Sequence, residues 1–256
     1  MVTLLKAQDF QSIAILAQRA GWLAVSKPAG LLVHPTRPSP IVTLQGLLTH
    51  WLASEMAAGG QVSLSHRLDR ETSGVLLVAT TAAAARHFSG QLERGEMEKE
   101  YRAIVFGWPD WEAREMDAPI LREGSRKPFR IWLKQAVHPG GAPARTEFTV
   151  VRRFGRDGAR FSILSVRTRT GRMHQIRVHA AALGHPLVGD KIYGPDETCY
   201  LRFIESGWTP ELERELLLPR NALHAHRLVF IDPDGSRVEV VAPPPADLEA
   251  FAGSWP

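Results

Sequence analysis

Cysteine is nearly absent from this chain of 256 residues. Its one cysteine, Cys199, excludes an internal disulfide and any metal cage built from several thiolates. No stretch approaches the ~18 consecutive apolar residues that a membrane-spanning helix requires. The first 24 residues also lack the basic region and apolar core of a secretion signal. We therefore expect a soluble cytoplasmic protein with no membrane partner.

Several enzyme classes are excluded because their motifs are missing. Without a GxxxxGK[ST] loop or a GxGxxG turn, nucleotide hydrolysis and dinucleotide redox chemistry have no support. No GxSxG elbow is present for an esterase-type serine. His174, His179 and His185 lie near Asp190, but their spacing is not that of a helical zinc pair. We predict that these histidines make hydrogen bonds or contact phosphates, and that no metal is bound.

The charge of the chain is unevenly distributed. The net charge is +4, yet residues 121–180 contain 14 Lys and Arg against 3 Asp and Glu, a local charge of +11. Residues 1–120 sum to −1 and residues 181–256 to −6. A basic segment between acidic flanks is typical of a phosphate-binding surface. Charge alone also fits a solvated basic surface, so this observation suggests nucleic acid without deciding for it.

The hydrophobic pattern predicts an α+β fold. Apolar runs and alternation predict strands at residues 22–26, 61–64, 75–79, 99–106, 130–134, 144–154 and 161–168, and a closing hairpin at residues 226–231 and 237–241. Helical spacing and end signals predict helices at residues 42–57, 81–92, 178–183 and 211–218. We expect a central mixed or mostly antiparallel sheet flanked by helices. Neither a repeat nor a linker is visible, which predicts one domain over residues 1–256.

One carboxylate stands out within this pattern. Asp69 lies between Arg67 and Arg70, in a polar segment that leads directly into the apolar run at residues 75–79. Neighbouring positive charge would keep such a carboxylate ionised and nucleophilic. On composition alone, an ion-paired turn residue explains the same observation.

Four segments of the sequence together favour a catalytic role for Asp69 over that of an ion-paired turn residue. They are residues 27–30 (KPAG), 66–74 (HRLDRETSG), 99–101 (KEY) and 170–190, which includes TGRMHQIRVH and GHPLVGD. In spelling and order they resemble the motifs of the RluA-type pseudouridine synthases, over about residues 20–245. The resemblance implies the pseudouridine synthase fold with an RNA-binding cleft, and isomerisation of uridine in RNA without a metal or organic cofactor.

The resemblance also implies roles for individual residues. Asp69 would be the essential carboxylate, although the motif leaves open whether it attacks C1′, adds to the base or removes the 2′ proton. Arg177 would pair with Asp69 and lower its pKa, with a surface phosphate contact as the alternative. Tyr101 would stack on the uracil and assist proton removal at C5, although a strand tyrosine is commonly a core residue. Ile176 would pack on the other face of the base, and Arg67 would fill the space left when the base is flipped.

Further residues are assigned to the loop and to the RNA backbone. His66 and Thr72 are expected to brace the loop, and His66 and His174 are also candidates for substrate binding. The basic segment would bind the RNA backbone with salt-dependent affinity. Its candidate contacts are Lys127, Arg130, Arg145, Arg167, Arg169 and Arg172.

The choice of RNA is not encoded in a separate module that we can identify. Only 26 residues precede the KPAG segment, too few for the S4-type domain found in many members. We therefore expect the compact branch of the family, acting as a monomer on transfer RNA, large-subunit (23S) ribosomal RNA, or both. Insertions such as residues 196–220 would contribute to selection. Two other hypotheses remain: an RNA-binding protein without catalysis, and a glycosidic-bond hydrolase, which would need a paired acid such as Glu71 or Asp190.

Overall fold

The computed structural model describes residues 13–35, 42–125 and 130–255 of the chain. The described residues fold as two compact units. The N-terminal unit contains residues 13–99 and 224–243, and the central unit contains residues 100–223 and 244–255.

Strands outnumber helices in the described part of the chain, which confirms the α+β class. The elements, in chain order, are β1 (Ala14–Arg19), β2 (Trp22–Lys27), α1 (Leu44–Trp51), α2 (Ala53–Ala57), β3 (Ser63–Leu64), β4 (Ser73–Ala79), α3 (Ala82–Glu93), β5 (Glu98–Phe106), β6 (Ala113–Asp117), β7 (Ile120–Arg122), β8 (Gln135–Val137), β9 (Arg145–Arg156), β10 (Ala159–Thr168), α4 (Gln175–Ala182), α5 (Thr198–Ser206), α6 (Pro210–Leu216), β11 (Leu223–Ile231), β12 (Arg237–Val241) and α7 (Ala246–Ala252).

The N-terminal unit is built around β4, which is buried along its whole length. β2 pairs with it antiparallel and β11 pairs with it parallel, while β1 extends the sheet beyond β2 and β12 pairs with β11. Gly74 begins the approach of β4 to β11 with φ +116°, where a Cβ atom would lie 2.2 Å from the carbonyl oxygen of Ala225. Only glycine fits this position, because any side chain would clash with that backbone.

Aromatic rings fill the core of the N-terminal unit. Trp22 meets Phe88 and Phe230 edge to face, at centroid distances of 6.4 and 5.0 Å. Phe88 comes from α3, which begins after Thr81 because the Thr81 hydroxyl accepts a hydrogen bond from the backbone N–H of Ala84. Buried aromatic side chains of this size make the base beneath β4 rigid.

The central unit contains a four-stranded antiparallel sheet in the order β5, β10, β9, β6. Phe148 and Val166 on this sheet belong to one hydrophobic cluster with Ile176 and Ala180 of α4. β7 and β8 form a separate hairpin. The helix α4 therefore packs directly on the sheet and carries the predicted site residues of its first turn.

Local details differ from the predicted elements. The helix predicted at residues 42–57 is interrupted at Leu52, which separates α1 from α2. The strand predicted at residues 130–134 is wrong, since this segment is a turn in which Ile131 is buried and its two neighbours on the C-terminal side are exposed. Residues 196–220 contain two helices, α5 and α6, of which only the second was predicted. The single domain and the RNA-binding cleft stay predictions.

Candidate active site

The segment at residues 66–74 forms a tight loop that leads into β4 in the N-terminal unit. The backbone N–H of Thr72 donates to the carbonyl oxygen of Asp69 over 3.1 Å, which closes the turn. Leu68 and Thr72 are buried, Asp69 is partly buried and Arg67 is exposed. The loop is thus held at several positions along its length, so the Asp69 side chain extends from a fixed backbone.

A buried lysine ties the KPAG segment to this loop. Lys27 is fully buried, and its Nζ donates to the carbonyl oxygens of Pro28, Leu31 and Arg70 over 2.8, 2.9 and 3.1 Å. The backbone N–H of Gly30 also donates to the Arg70 carbonyl, and Arg70 Nε donates back to the Gly30 carbonyl. A buried ammonium needs such acceptors because its desolvation is unfavourable. This role of Lys27 was not predicted from the sequence, although the KPAG motif was the available signal.

His66 braces the start of the loop against β4. Its Nε2 accepts a long hydrogen bond, 3.4 Å, from the backbone N–H of Leu77. Burial, with a smaller contribution from the nearby Lys99 ammonium, lowers the pKa of His66 to about 4. The ring is therefore neutral at physiological pH, as its acceptor role requires. These contacts support the predicted brace, whereas binding of substrate by His66 stays a prediction.

In the central unit, Tyr101 and Ile176 come together. Tyr101 lies on β5 opposite Val166 of β10 and is partly buried. It packs against the hydrophobic cluster that includes Ile176, the second residue of α4. The two residues predicted to contact opposite faces of one base thus share a cluster, although their substrate contacts stay predictions.

Arg177, the next residue of α4, is held by Asp190. Its Nε and one terminal nitrogen donate to the two carboxylate oxygens over 2.6 and 2.8 Å. Asp190 is fully buried and also accepts from the backbone N–H groups of Ile192 and Tyr193. Burial alone would raise the pKa of Asp190, but Arg177 and these N–H groups hold it below its usual range. This pair was not predicted. The predicted pairing of Arg177 with Asp69 stays a prediction.

A tyrosine and a histidine complete the surroundings of Arg177. The Arg177 guanidinium carbon lies 5.1 Å from the centroid of the Tyr193 ring. The Tyr193 hydroxyl is hydrogen-bonded to His174 Nδ1 over 2.9 Å and accepts from the backbone N–H of Gln135 over 2.8 Å. Arg177 is therefore fixed at its edge by a carboxylate and at its face by a ring. The His174 backbone, with φ +57°, begins the helix, and its predicted role in substrate binding stays a prediction.

Gln175 fastens the segment 170–174 to the sheet. Its Oε1 accepts from the Thr170 hydroxyl (2.7 Å) and the Arg172 backbone N–H (3.0 Å). Its Nε2 donates to the Arg145 carbonyl (3.0 Å) and the Thr146 hydroxyl (2.9 Å). A buried amide with both ends satisfied specifies one conformation of its surroundings.

The remaining histidines of this region also make structural hydrogen bonds, as predicted. His179 lies between the Thr146 hydroxyl and the Ala118 carbonyl, and burial lowers its pKa. His185 Nδ1 is hydrogen-bonded to the carbonyl of Phe106. Within the described residues, no three His, Cys, Asp or Glu side chains converge on a metal position. In the same part of the chain, none of the helices is both long enough and apolar enough to traverse a membrane.

Four of the predicted RNA contacts form a group at one end of β9 and β10. We call Arg145, Arg167, Arg169 and Arg172 the arginine cluster. All four are exposed. Three of them pair with carboxylates: Arg145 with the exposed Glu115, Arg169 with the partly buried Glu147, and Arg167 with the buried Glu100. An exposed pair such as Arg145 and Glu115 contributes only about 0–1 kcal/mol, so a phosphate can replace that carboxylate. Arg130 is exposed on a separate turn, and Lys127 lies outside the described residues.

Comparisons with known proteins agree on one family. A family model described as RNA pseudouridylate synthase matches residues 21–182. The chain is 40% identical over 228 residues to an uncharacterized RNA pseudouridine synthase of Chloroflexus aurantiacus, covering 88% of this chain and 63% of that protein. It is 36% identical over 229 residues to the ribosomal large subunit pseudouridine synthase D of Neisseria meningitidis, covering 88% and 56% respectively.

A solved structure gives the same answer for the fold. The human RNA pseudouridylate synthase domain containing 1 superposes with a TM-score of 0.70 and 26% sequence identity, covering 94% of this chain and 87% of that one. The chain thus spans between 56% and 63% of the length of the two curated relatives and most of the human structure.

Proposed function

The chain belongs to the RluA-type family of RNA pseudouridine synthases, isomerases that convert uridine to pseudouridine, and we propose that it catalyses this reaction in structured RNA. The reaction breaks the N1–C1′ bond, turns the uracil and forms a C5–C1′ bond. The proton leaves C5 and N1 gains one, so atoms and electrons balance without an oxidant or reductant.

The observation that carries the proposal is the anchored loop around Asp69. The backbone after Asp69 is joined to the KPAG segment through Lys27 and Gly30, and continues into the buried strand β4. A catalytic group on such a fixed backbone is oriented before substrate arrives, which is how enzymes lower the entropic part of a barrier. A simple RNA-binding surface does not require the backbone that carries a carboxylate to be anchored in this way.

We assign the other residues roles that fit this chemistry. Tyr101 and Ile176 provide the two faces between which the uracil is held, and stacking on an aromatic ring contributes about 1–3 kcal/mol per base. Arg177 is the partner of the Asp69 carboxylate and is itself oriented by Asp190. Arg67, exposed beside Asp69, enters the space that the flipped base leaves.

The proposed substrates are large-subunit (23S) ribosomal RNA and transfer RNA. The names of relatives such as the Neisseria meningitidis ribosomal large subunit pseudouridine synthase D favour ribosomal RNA. The arginine cluster suits either RNA, since it recognises phosphate and not sequence. We propose that the protein acts in the cytoplasm as a monomer.

The test measures tritium release from [5-³H]uridine in separate transfer RNA and ribosomal RNA transcripts. We expect the native protein to release label from at least one RNA. We expect Asp69→Asn, which is nearly isosteric, to lower the rate by at least ~10³-fold while binding the RNA. An Asp110→Asn variant serves as the control, because it makes the same change at an exposed aspartate of the central unit. Native-like release by Asp69→Asn would refute the assignment.

The same reactions separate the two remaining hypotheses. An RNA-binding protein without catalysis would bind either transcript and release no tritium. A hydrolase would liberate free uracil and leave an abasic site, both of which chromatography of the digested RNA detects. Pseudouridine in the digest, with no free uracil, is the result that the isomerase proposal requires.

A further inference from the structure

A solvent-exposed tryptophan carries an arginine on its ring in the central unit. Trp132 is 64% exposed, although a large aromatic side chain is usually covered. The guanidinium carbon of Arg122, the last residue of β7, lies 3.7 Å from the centroid of its ring. This distance is that of direct stacking, so one face of the indole is backed by a cation. The exposure of the side chain leaves the rest of the ring surface to solvent.

The position of this pair in the fold connects it with the candidate active site. The preceding residue, Ile131, is buried in a cluster with Ala144, Val178 and Tyr193. Ala144 is adjacent to the first member of the arginine cluster, and Val178 follows Arg177 directly. The turn that presents Trp132 is thus seated on a cluster that contains Tyr193, whose ring packs on the Arg177 guanidinium.

We propose that Trp132, backed by Arg122, stacks on one unpaired nucleobase that flanks the modified uridine in the substrate RNA. The proposal rests on the function proposed above and adds a second base contact to it. An indole offers a flat surface to any base, and the guanidinium behind it adds positive charge where the RNA backbone is negative. The surrounding segment, residues 121–180, has a local charge of +11, which complements RNA.

The size of the exposed surface argues against a protein as the occupant. The apolar side chains exposed next to each other on this turn are Trp132 and Leu133, the latter 41% exposed. A stable protein interface buries about 800 Å² on each partner, far more than two side chains provide. A single base, in contrast, matches one indole ring in area and shape.

The experiment compares tritium release by the native protein, Trp132→Ala, Trp132→Phe and Trp108→Ala. Trp108 is the matched control, because it is 44% exposed with the Arg160 guanidinium 4.7 Å from its ring, yet lies at the opposite end of β5 from Tyr101. We expect Trp132→Ala to raise KM by about 5- to 150-fold with kcat unchanged. Trp132→Phe keeps a ring and should stay within about 3-fold of native. Trp108→Ala should stay within about 2-fold.

Single abasic substitutions in the RNA identify the stacked base. Near the modified uridine, one abasic position should raise KM for the native protein and leave KM of Trp132→Ala unchanged. The proposal is overturned if Trp132→Ala behaves as native, if Trp108→Ala loses as much, or if no abasic position removes the difference. A change in sedimentation of Trp132→Ala would also overturn it, because the surface would then join two copies of the chain.

Failure of the isomerase proposal gives a different result. If the native protein releases no label from any RNA, dissociation constants of the same four proteins for the same RNAs replace KM. Weaker binding by Trp132→Ala alone would then support stacking without catalysis, and equal binding by all four proteins would reject it.

Discussion

The loop at residues 66–74 and the segment at residues 170–179 are anchored by different kinds of hydrogen bond. In the loop, most of the described anchors end on a main-chain group: the Lys27 ammonium and the Gly30 N–H bind the Arg70 carbonyl, and His66 Nε2 accepts from the backbone N–H of Leu77. In the second segment, side chains hold one another: Gln175 binds Thr146 and Thr170, and Arg177 binds Asp190.

The two segments therefore differ in whether their side chains are available for catalysis or are needed to hold the fold. Because main-chain groups take part in most of the hydrogen bonds that anchor the loop, those bonds do not depend on the Asp69 side chain. Replacing Asp69 should therefore lower activity more than it lowers stability. In the second segment the shape depends on the side chains themselves, so replacing Gln175, or Asp190 that holds Arg177, should affect folding first. Each prediction below tests one side of this contrast.

Removal of Asp190 should have the largest effect on stability. Asp190→Ala leaves the Arg177 guanidinium buried without this carboxylate and two backbone N–H groups without their acceptor. We expect the free energy of unfolding to fall by about 3–5 kcal/mol in urea titrations. Glu115→Ala, which removes the exposed partner of Arg145, should change it by less than about 1 kcal/mol. Equal effects of the two variants would show that the buried pair does not hold the central unit.

Removal of the Lys27 ammonium should have the next largest effect on stability. Lys27→Met keeps the length of the side chain but deprives three carbonyl oxygens of a donor, at about 1–3 kcal/mol each when buried. Relief of the buried charge offsets part of this, so we expect a net loss of about 2–4 kcal/mol.

Hydrogen exchange localises this effect. Amides of residues 66–74 should exchange faster in Lys27→Met, whereas Lys191→Met, the same change at a buried lysine of the central unit, should leave them unchanged. Unaltered exchange in Lys27→Met would contradict the anchoring role of Lys27.

Acid should weaken the N-terminal unit through His66. Burial lowers the pKa of His66 to about 4, below the value of 6.5 that it has when unfolded. The unfolded chain therefore binds the proton more tightly between these two values, and stability falls as the pH is lowered from about 6.5 to about 4. We expect this site to contribute roughly 2–3 kcal/mol of the loss. His66→Gln should flatten the pH dependence of unfolding in this window, and a pH dependence as steep as that of the native protein would contradict the role of His66.

Sequence was sufficient where local pattern and tertiary contacts agree. The continuous apolar run of β4 and the alternation of β5 predicted both strands, and helical spacing predicted α3 at residues 81–92. The strand predicted at residues 130–134 failed because Ile131 and Leu133, which would share one face of a strand, differ in burial: Ile131 lies in a cluster and Leu133 is exposed. Alternation over five residues cannot distinguish a strand from such a turn.

Sequence was insufficient where a partner lies far along the chain. Arg177 and Asp190 are thirteen residues apart, and the spacing contains no sign that they pair. The role of Lys27 requires the fold to bring Arg70 to it across forty-three residues. Helix α7 follows three prolines and is only seven residues long, which is too short for the spacing of its apolar residues to predict a helix. Motif spelling located the candidate site, but its supporting contacts are long-range and emerge only in three dimensions.

The smallest effects are expected from replacing one exposed arginine in each of the two segments. Arg172→Gln removes one expected phosphate contact of the arginine cluster, so RNA affinity should fall about 3-fold at physiological salt with kcat unchanged. The slope of log affinity against log salt should become shallower by about 0.7–0.9. Arg67→Gln should instead lower kcat about 10-fold, since it removes the group that stabilises the flipped state, and should leave the salt slope nearly unchanged. If Arg67→Gln altered only the salt slope, the loop would be a second phosphate contact, and the contrast between a chemical loop and a binding segment would no longer hold.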